Sequence, residues 1–379
     1  MRGGSGHRAA GTGSVLSALV AGHICVDLIP ELRAPPDLSP GTLVDVGPLQ
    51  FRPGGCVANT GSALLALGAP ARLLADTGAD ELGRILRHLL AAQGVETAGL
   101  RAAPEDSTAY SVVIEAPGRD RVFWHHTGAN AHFDGRDLDL SRGDLLHLGY
   151  PSILPALTAN GAAQLHVLLV RARAAGLTTS LDLAVVDPEG DAGHLDWTAI
   201  LDTALPLTDV FTPSIADLAS ALGRRYGTDP DALSGEAERF VGLGAGVVML
   251  TAGPDGLVLR SAPAERLQRG GRALAALPPG WGDRELWIPP LPAPTTSTTG
   301  AGDAATAGLL YGLLAGLSPE DALMTAAGAA ALTLAGRRPL PPYASGEIAT
   351  LRVHAPDRPG WRRGQRGVFS GPSDHSVPG

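Results

Sequence analysis

The chain has 379 residues, of which 44 % are hydrophobic, and its 38 acidic and 29 basic side chains give a formal net charge of −9. A chain of this size and apolar content can bury a large core, which excludes disorder as its main state and suits one large α/β domain or two smaller ones. The acidic balance argues against nucleic acid or an anionic membrane as a partner, because the net field attracts neither polyanion.

Lysine is missing from the sequence, so all 29 basic residues are arginines. Mechanisms that need an amine, such as a Walker-A lysine or a Schiff base, are therefore excluded. Cys25 and Cys56 are too few for a disulfide framework or a Cys-built zinc site, and we expect a cytoplasmic location. No run reaches the roughly 18 to 20 apolar residues that a membrane helix needs, so no membrane partner is expected.

The first half of the chain predicts a core interrupted by two β excursions. A core strand and two helices are predicted at 15–26, 59–67 and 81–93. The excursions span 28–53, which is rich in proline, and 107–128, where two strand-like stretches flank Pro117 and Gly118 and predict a hairpin.

The second half alternates apolar strands with helical stretches, which indicates a parallel sheet covered by helices. Residues 256–260 can pair back on the preceding strand after a Pro-Asp-Gly turn. We expect 261–294 to be a surface insertion and 361–379 to be a disordered tail. The sequence thus predicts a single domain over 12–360.

Residues 295–303 read Thr-Thr-Ser-Thr-Thr-Gly-Ala-Gly-Asp and run directly into a predicted helix. A Gly-rich turn at a helix start offers backbone N–H groups and the positive end of the helix dipole, which together bind anions. A phosphoryl group in transfer is such an anion, and Asp303 could accept the proton of an attacking hydroxyl. The alternative is that Asp303 only caps the helix.

This segment resembles the C-terminal signature of the ribokinase-like, or PfkB, carbohydrate kinases. Further motifs of the family follow in its order, at 22–27, 54–59, 78–83 and 251–256, so that the likeness runs from about residue 15 to about residue 345. The resemblance implies a three-layer α/β/α sandwich with a mostly parallel central sheet, plus a small β-sheet lid that closes over the substrate.

The resemblance also implies roles for particular residues. Asp303 would be the base, and the backbone N–H groups of Gly300, Ala301 and Gly302 would form the anion hole. The substrate would contact Asp27, Gly54, Gly55, Asn59, Arg121 and Asn130. The ATP side would be formed by Ser214, Thr251, Gly253, Gly256 and Thr299. Plainer alternatives remain open: a turn residue for Asp27, a helix N-cap for Asn59, exposed side chains for Arg121 and Asn130, and turn glycines at 253 and 256.

Two positions depart from the family's pattern. Ser214 and Asp217 stand where the family carries Asn-x-x-Glu. Asp217 keeps a carboxylate that can organise Mg²⁺ through water. The alternative is that Asp217 is an ordinary acidic residue at a helix start. Ser297 stands where an aspartate often helps to bind an activating monovalent cation, so the resemblance does not carry that dependence over to this chain.

These patterns predict an enzyme that moves the γ-phosphate of Mg·ATP to a hydroxyl of a sugar, sugar acid, sugar phosphate or nucleoside. The alternative is a catalytically silent sugar- or nucleotide-responsive binding protein on the same fold. A dinucleotide-dependent oxidoreductase is excluded because no Gly-x-Gly-x-x-Gly opens the helix after the first strand. An exposed lid edge leaves both a monomer and a homodimer open.

Overall fold

The computed structural model describes residues 16–117, 121–339, 358–364 and 367–374. Fifteen strands occur in these ranges: β1 (Ala18–Gly22), β2 (Cys25–Pro30), β3 (Leu49–Gly54), β4 (Ala71–Gly78), β5 (Leu100–Ala103), β6 (Tyr110–Ile114), β7 (Val122–His126), β8 (Leu145–Gly149), β9 (Thr178–Leu181), β10 (Val210–Phe211), β11 (Val247–Thr251), β12 (Leu257–Ser261), β13 (Glu285–Ile288), β14 (Arg362–Arg363) and β15 (Phe369–Ser370).

The same ranges contain ten α-helices: α1 (Gly55–Leu67), α2 (Glu81–Ala92), α3 (Pro155–Ala174), α4 (Trp197–Ala204), α5 (Ile215–Leu222), α6 (Pro230–Gly242), α7 (Ala264–Gln268), α8 (Arg272–Ala275), α9 (Ala301–Leu314) and α10 (Pro319–Leu334). Throughout the described residues, every helix is too short or too polar to cross a membrane.

A large central sheet organises the fold, with the strand order β14-β15-β13-β12-β11-β10-β9-β8-β1-β4-β5. The strands from β5 to β11 pair in parallel, and those beyond β11 are antiparallel. Successive strand residues alternate between the two faces, so Val20 joins one hydrophobic core and Leu19 the other. The three-layer, mostly parallel architecture predicted from the sequence is confirmed.

A second, four-stranded sheet with the order β3-β2-β6-β7 forms the lid. The single strand predicted at 15–26 is in fact two strands in different sheets, because the chain changes partners between them. The His23 N–H donates to the Gly149 carbonyl in the central sheet at 2.7 Å, whereas the Val26 N–H donates to the Ala109 carbonyl beside the lid at 3.0 Å. The predicted hairpin is present as β6 and β7, while its Gly118 lies outside the described residues.

Two segments that were expected to lie outside the core contribute strands to the central sheet and buried aromatic residues to the core. The expected surface insertion at 261–294 contains β13, a central-sheet strand, and Trp281, which is 2 % exposed. In the expected disordered tail, Phe369 of β15 is buried with its ring 4.9 Å from that of Trp287 in β13, the strand with which β15 pairs. Residues 12–15, 340–357, 365–366 and 375–379 of these predictions lie outside the described ranges.

Candidate active site

The candidate site lies where several parallel strands end and helix α9 begins. Tyr150 directly follows β8, and Asp182 directly follows β9. Asp303 lies in the first turn of α9. In open α/β sheets the crevice beyond the carboxyl ends of the strands is the usual place for ligands.

Asp303 is held by three side-chain donors from two other parts of the chain. Its carboxylate accepts hydrogen bonds from Tyr150 Oη at 2.5 Å, Asn59 Nδ2 at 3.0 Å and Thr60 Oγ1 at 3.1 Å. Burial raises the pKa of Asp303, while these hydrogen bonds and the charge of Arg121 oppose the rise. The result is a fixed, buried carboxylate that can accept a proton from a neighbouring hydroxyl.

The helix-capping alternatives do not describe Asp303 or Asn59. The N-cap of α9 is Gly300, and the Asp303 side chain points to α1 and Tyr150. Helix α1 begins at Gly55, four residues earlier than predicted, so Asn59 lies inside the helix and its amide holds the carboxylate of Asp303.

The loop before α9, residues 295–300, has the form of an anion site, and we call it the anion loop. Gly300 adopts φ +77°, a left-handed conformation that favours glycine, and a Cβ added to Gly302 would meet no atom within 4 Å. The Ala301 N–H makes only a long, 3.4 Å contact to the Thr298 carbonyl. Thr299 Oγ1 is buried and has no hydrogen-bond partner in the described part of the chain. Together with the first-turn N–H groups of α9, this loop fits a phosphoryl group.

Two further carboxylates lie close enough to influence Asp303. Burial, followed by the charges of Asp217 and Asp303, raises the pKa of Asp182 well above its ordinary value. Burial raises the pKa of Asp217 to about 6 against the hydrogen bonds from Ser214, and the charge of Asp303 adds to the rise. Sequence reasoning missed Asp182, although an acid that directly follows a buried parallel strand was a usable signal.

This acidic group fits a divalent cation, because a positive charge would relieve the repulsion among the three carboxylates. Within the described residues, however, no three His, Cys, Asp or Glu side chains are arranged to hold a metal ion directly. Binding through water by Asp182 and Asp217 would be compatible with Mg²⁺, which keeps several waters and takes few direct protein ligands.

On the predicted ATP side, Ser214 is the N-cap of α5 and forms a capping box with Asp217. Its Oγ lies 2.5 Å from Asp217 Oδ2, and Ser214 forms a parallel bridge with Thr251 at the end of β11. Gly253 and Gly256 occupy the turn after β11 with φ values of +53° and +91°. The structure thus supports the turn alternative for both glycines, and their contact with ATP stays a prediction.

On the substrate side, the lid brings Asp27 and the two glycines of 54–55 together. A Cβ on Gly54 would lie 2.5 Å from Asp27 Oδ1, so only glycine fits beside this carboxylate.

Asn130, a predicted substrate contact, is occupied elsewhere: its Nδ2 donates to the Ile24 carbonyl at 2.9 Å and its Oδ1 accepts from the Ile24 N–H at 3.3 Å. Asn130 therefore fixes the link between β1 and β2, because both ends of its amide are used on the backbone.

Arg121 reaches a different part of the site from the one predicted. It immediately precedes lid strand β7, and its Nη1 donates to Thr298 Oγ1 in the anion loop. Its charge lowers the pKa values of Asp27, Asp217 and Asp303. Arg121 thus connects the lid to the loop that would hold the phosphoryl group.

The titration of Asp27 leads to a prediction about stability. Burial and the charge of Asp303 raise the pKa of Asp27 from the ordinary 3.8 to about 6. Between these values the folded protein binds the proton more tightly than the unfolded chain does, so the free energy of unfolding falls as pH rises. We expect Asp27→Asn to stabilise the ligand-free protein at pH 7 by about 1–3 kcal/mol and to raise the KM for substrate.

Urea unfolding of both proteins at pH 5, 6 and 7 measures this effect. The stability difference should grow with pH, while Asp217, which remains in the variant, keeps part of the pH dependence in both proteins. Equal stability at pH 7 would contradict a buried, ionised Asp27.

A buried carboxylate at a helix start after a Gly-rich loop, on a parallel sheet with a small second sheet, is the arrangement expected of small-molecule phosphotransferases. Comparison with known proteins agrees. A sequence model of the pfkB family carbohydrate kinases matches residues 16–339. The chain is 28 % identical over 340 residues to a fructokinase of Klebsiella pneumoniae, which covers 86 % of this chain and 95 % of that protein.

Solved structures share the fold. A ribokinase of Arabidopsis thaliana, in complex with ribose and ATP, is 19 % identical with a TM-score of 0.63, covering 84 % of this chain and 93 % of that one. A nucleoside kinase of Burkholderia thailandensis, in complex with inosine, is also 19 % identical with a TM-score of 0.63, covering 90 % and 100 %.

Because the family match extends over most of its length, the chain belongs to the pfkB family carbohydrate kinases. The predicted family, fold and enzyme class are thereby confirmed, and membership implies the use of ATP.

Proposed function

We propose that this protein transfers the γ-phosphate of Mg·ATP to a hydroxyl of a sugar or sugar-like molecule, with Asp303 as the general base. The observation that carries the proposal is the triple anchoring of the Asp303 carboxylate by Tyr150, Asn59 and Thr60, directly after the anion loop. Three donors fix one carboxylate far more strictly than a surface acid requires, and such preorganisation is what proton transfer in phosphoryl transfer needs.

Each part of the site has a role in this reaction. Asp303 takes the proton of the attacking hydroxyl, and the N–H groups of 300–302 with Thr299 Oγ1 receive the charge on the transferred group. Magnesium, when bound, neutralises charge on the nucleotide phosphates. Asp182 and Asp217 would hold it through water, and closure of the lid excludes water that would otherwise hydrolyse ATP.

The test is ADP release from Mg·ATP with a panel of D-fructose, D-ribose, D-gluconate and inosine. The panel covers the acceptor types of the similar proteins, a fructokinase, a ribokinase and a nucleoside kinase, and adds a sugar acid. We expect acceptor-dependent ADP release with at least one compound and its loss when EDTA removes the metal. Thermal stabilisation by a sugar or nucleoside without ADP release would instead favour the silent binding protein, the second candidate.

The second candidate rests on the departures at Ser214, Asp217 and Ser297. Ser297 Oγ accepts the Thr299 N–H at 3.2 Å, so the loop is held locally without the aspartate common in the family. The intact anchoring of Asp303 favours the enzyme, because a binding protein has no use for a fixed base. Cytoplasmic location remains a prediction, and the dependence on a monovalent cation and the choice between monomer and homodimer remain open.

A further inference from the structure

His23, which no part of the mechanism above uses, is fixed at the centre of the site. It lies in the link between β1 and β2, where its N–H donates to the Gly149 carbonyl at 2.7 Å and its carbonyl accepts the Val57 N–H of α1 at 3.0 Å. The central sheet and α1 thus hold its backbone from both sides, and the lid sheet begins two residues later, at Cys25.

The imidazole of His23 contacts three functional parts of the site. Its ring centroid lies 5.1 Å from that of His125 on lid strand β7 and 5.9 Å from that of Tyr150, which donates to Asp303. On a third side, a Cβ on Gly55 would lie 2.5 Å from His23 Nδ1. The ring therefore lies between the lid, the substrate glycines and the hydrogen-bond partner of the base.

Both ring nitrogens of His23 lack a hydrogen-bond partner among the described residues, although the residue is only 3 % exposed. A buried polar group without a partner is costly, and such groups are rare in native proteins unless they have a function. Burial, with a contribution from His125, lowers the pKa of His23 well below its ordinary value, so the ring is uncharged. A neutral imidazole offers one donor and one acceptor on opposite edges of its ring, so each nitrogen can pair with a separate hydroxyl.

We propose that His23 binds the acceptor substrate, donating a hydrogen bond to one hydroxyl and accepting one from another hydroxyl of an uncharged sugar. This inference rests on the proposed function and names its substrate class. Asp27 supports the choice of an uncharged substrate, because its carboxylate beside Gly54 accepts from hydroxyls and repels carboxylate or phosphate groups. The substrate reaches the ring when the lid, which carries His125, opens.

A pair of variants separates binding from packing. His23→Phe keeps a ring but removes both nitrogens, whereas His23→Gln keeps a donor and an acceptor but loses the ring. If His23 binds substrate, the Phe variant should raise the KM for the sugar about tenfold or more with the KM for ATP unchanged, and the Gln variant should stay within about threefold of the parent. The melting temperature of the ligand-free Phe variant should not fall, because two unpaired buried groups are gone.

His147→Gln is the matched control. His147 is also fully buried, and its Nε2 lacks a partner in the described part of the chain, but its Nδ1 is bonded to Ser180 inside the central sheet. We expect this control to change the melting temperature and to leave the KM for the sugar unchanged. A Phe variant of His23 that retains the parent's KM for the sugar, or a Gln variant that loses both stability and affinity, would overturn the inference.

The measurements use D-fructose, D-ribose and inosine as probes, so the inference and the proposed function can fail separately. If the parent turns over one probe and His23→Phe does so with the same KM, the proposed function stands and His23 is a packing residue. If the parent shows no turnover but one probe raises its melting temperature, loss of that shift in His23→Phe supports the binding role alone. A parent that none of these probes turns over or stabilises overturns the inference, and it overturns the proposed function as well if D-gluconate also gives no ADP release.

Discussion

Replacement of Asp303 by asparagine should lower kcat by about 10³- to 10⁴-fold, while the affinity for ATP stays within about threefold of the parent's. Asparagine is nearly isosteric and keeps one oxygen that can accept from Tyr150 or Thr60, so the local structure should persist. What is lost is the ability to take the proton of the attacking hydroxyl. ADP release gives kcat, and binding of a non-hydrolysable ATP analogue gives the affinity.

Tyr150→Phe is the matched control for this experiment. It removes one hydrogen bond to Asp303 but leaves the carboxylate, so we expect a smaller loss of kcat, about tenfold. Because the Tyr150 hydrogen bond lowers the pKa of Asp303, its removal should raise that pKa and move the ascending limb of the kcat–pH profile to higher pH. An Asp303→Asn variant with kcat within tenfold of the parent's would exclude Asp303 as the base.

The parts of this site that are local in sequence could be predicted from it. The Gly-rich turn and Asp303 are contiguous, so the anion loop and the acid at the helix start follow from a short segment. The positions of Tyr150 and Asp182 beside Asp303 could not be predicted in this way, because these residues join Asp303 only when β8 and β9 lie side by side in the sheet. Sequence patterns alone do not specify the register of these strands, and hydrogen bonds across more than a hundred residues depend on that register.

Polar residues near the lid show a second limit. Asn130 and Arg121 both flank the predicted hairpin, and composition alone made them equal candidates for substrate binding. The structure separates them, since Asn130 is used on the backbone of Ile24 and Arg121 extends to Thr298. The conformation of the backbone decides which of two polar side chains faces a ligand. Loops have no periodic pattern from which this conformation could be predicted.

The C-terminal residues show the same limit for the fold. The polar composition of 361–379 predicted disorder, yet Arg284, only 4 % exposed, pairs with Asp374. The rings of Trp361 and Phe369 pack against that of Trp287 and add apolar contacts. These contacts could not be predicted, because the three aromatic residues are isolated in the sequence. Long-range pairing of this kind overrides local composition.

Replacement of Arg121 by glutamine should lower kcat by about 10²- to 10³-fold. This is the range found when a hydrogen-bond donor to the charge that develops in the transition state is removed. The chain contains no lysine, so arginine is its only side chain that is positively charged at every pH of the assay. Arg121 bonds to Thr298 of the anion loop from the lid side. Its charge also lowers the pKa of Asp303, so the variant's kcat–pH profile should shift to higher pH.

Arg52→Gln, on β3 at the opposite edge of the lid sheet, is the matched control. Arg52 is exposed, donates to Gln50 Oε1 at 2.8 Å and lowers the pKa of Asp27. Its loss should therefore act on the KM for the sugar and leave kcat within about threefold. Steady-state kinetics of both variants across pH 5.5 to about 9 separate the two effects. If Arg121→Gln behaved like Arg52→Gln, the lid would only enclose the site. It would not place a positive charge beside the transferred phosphoryl group.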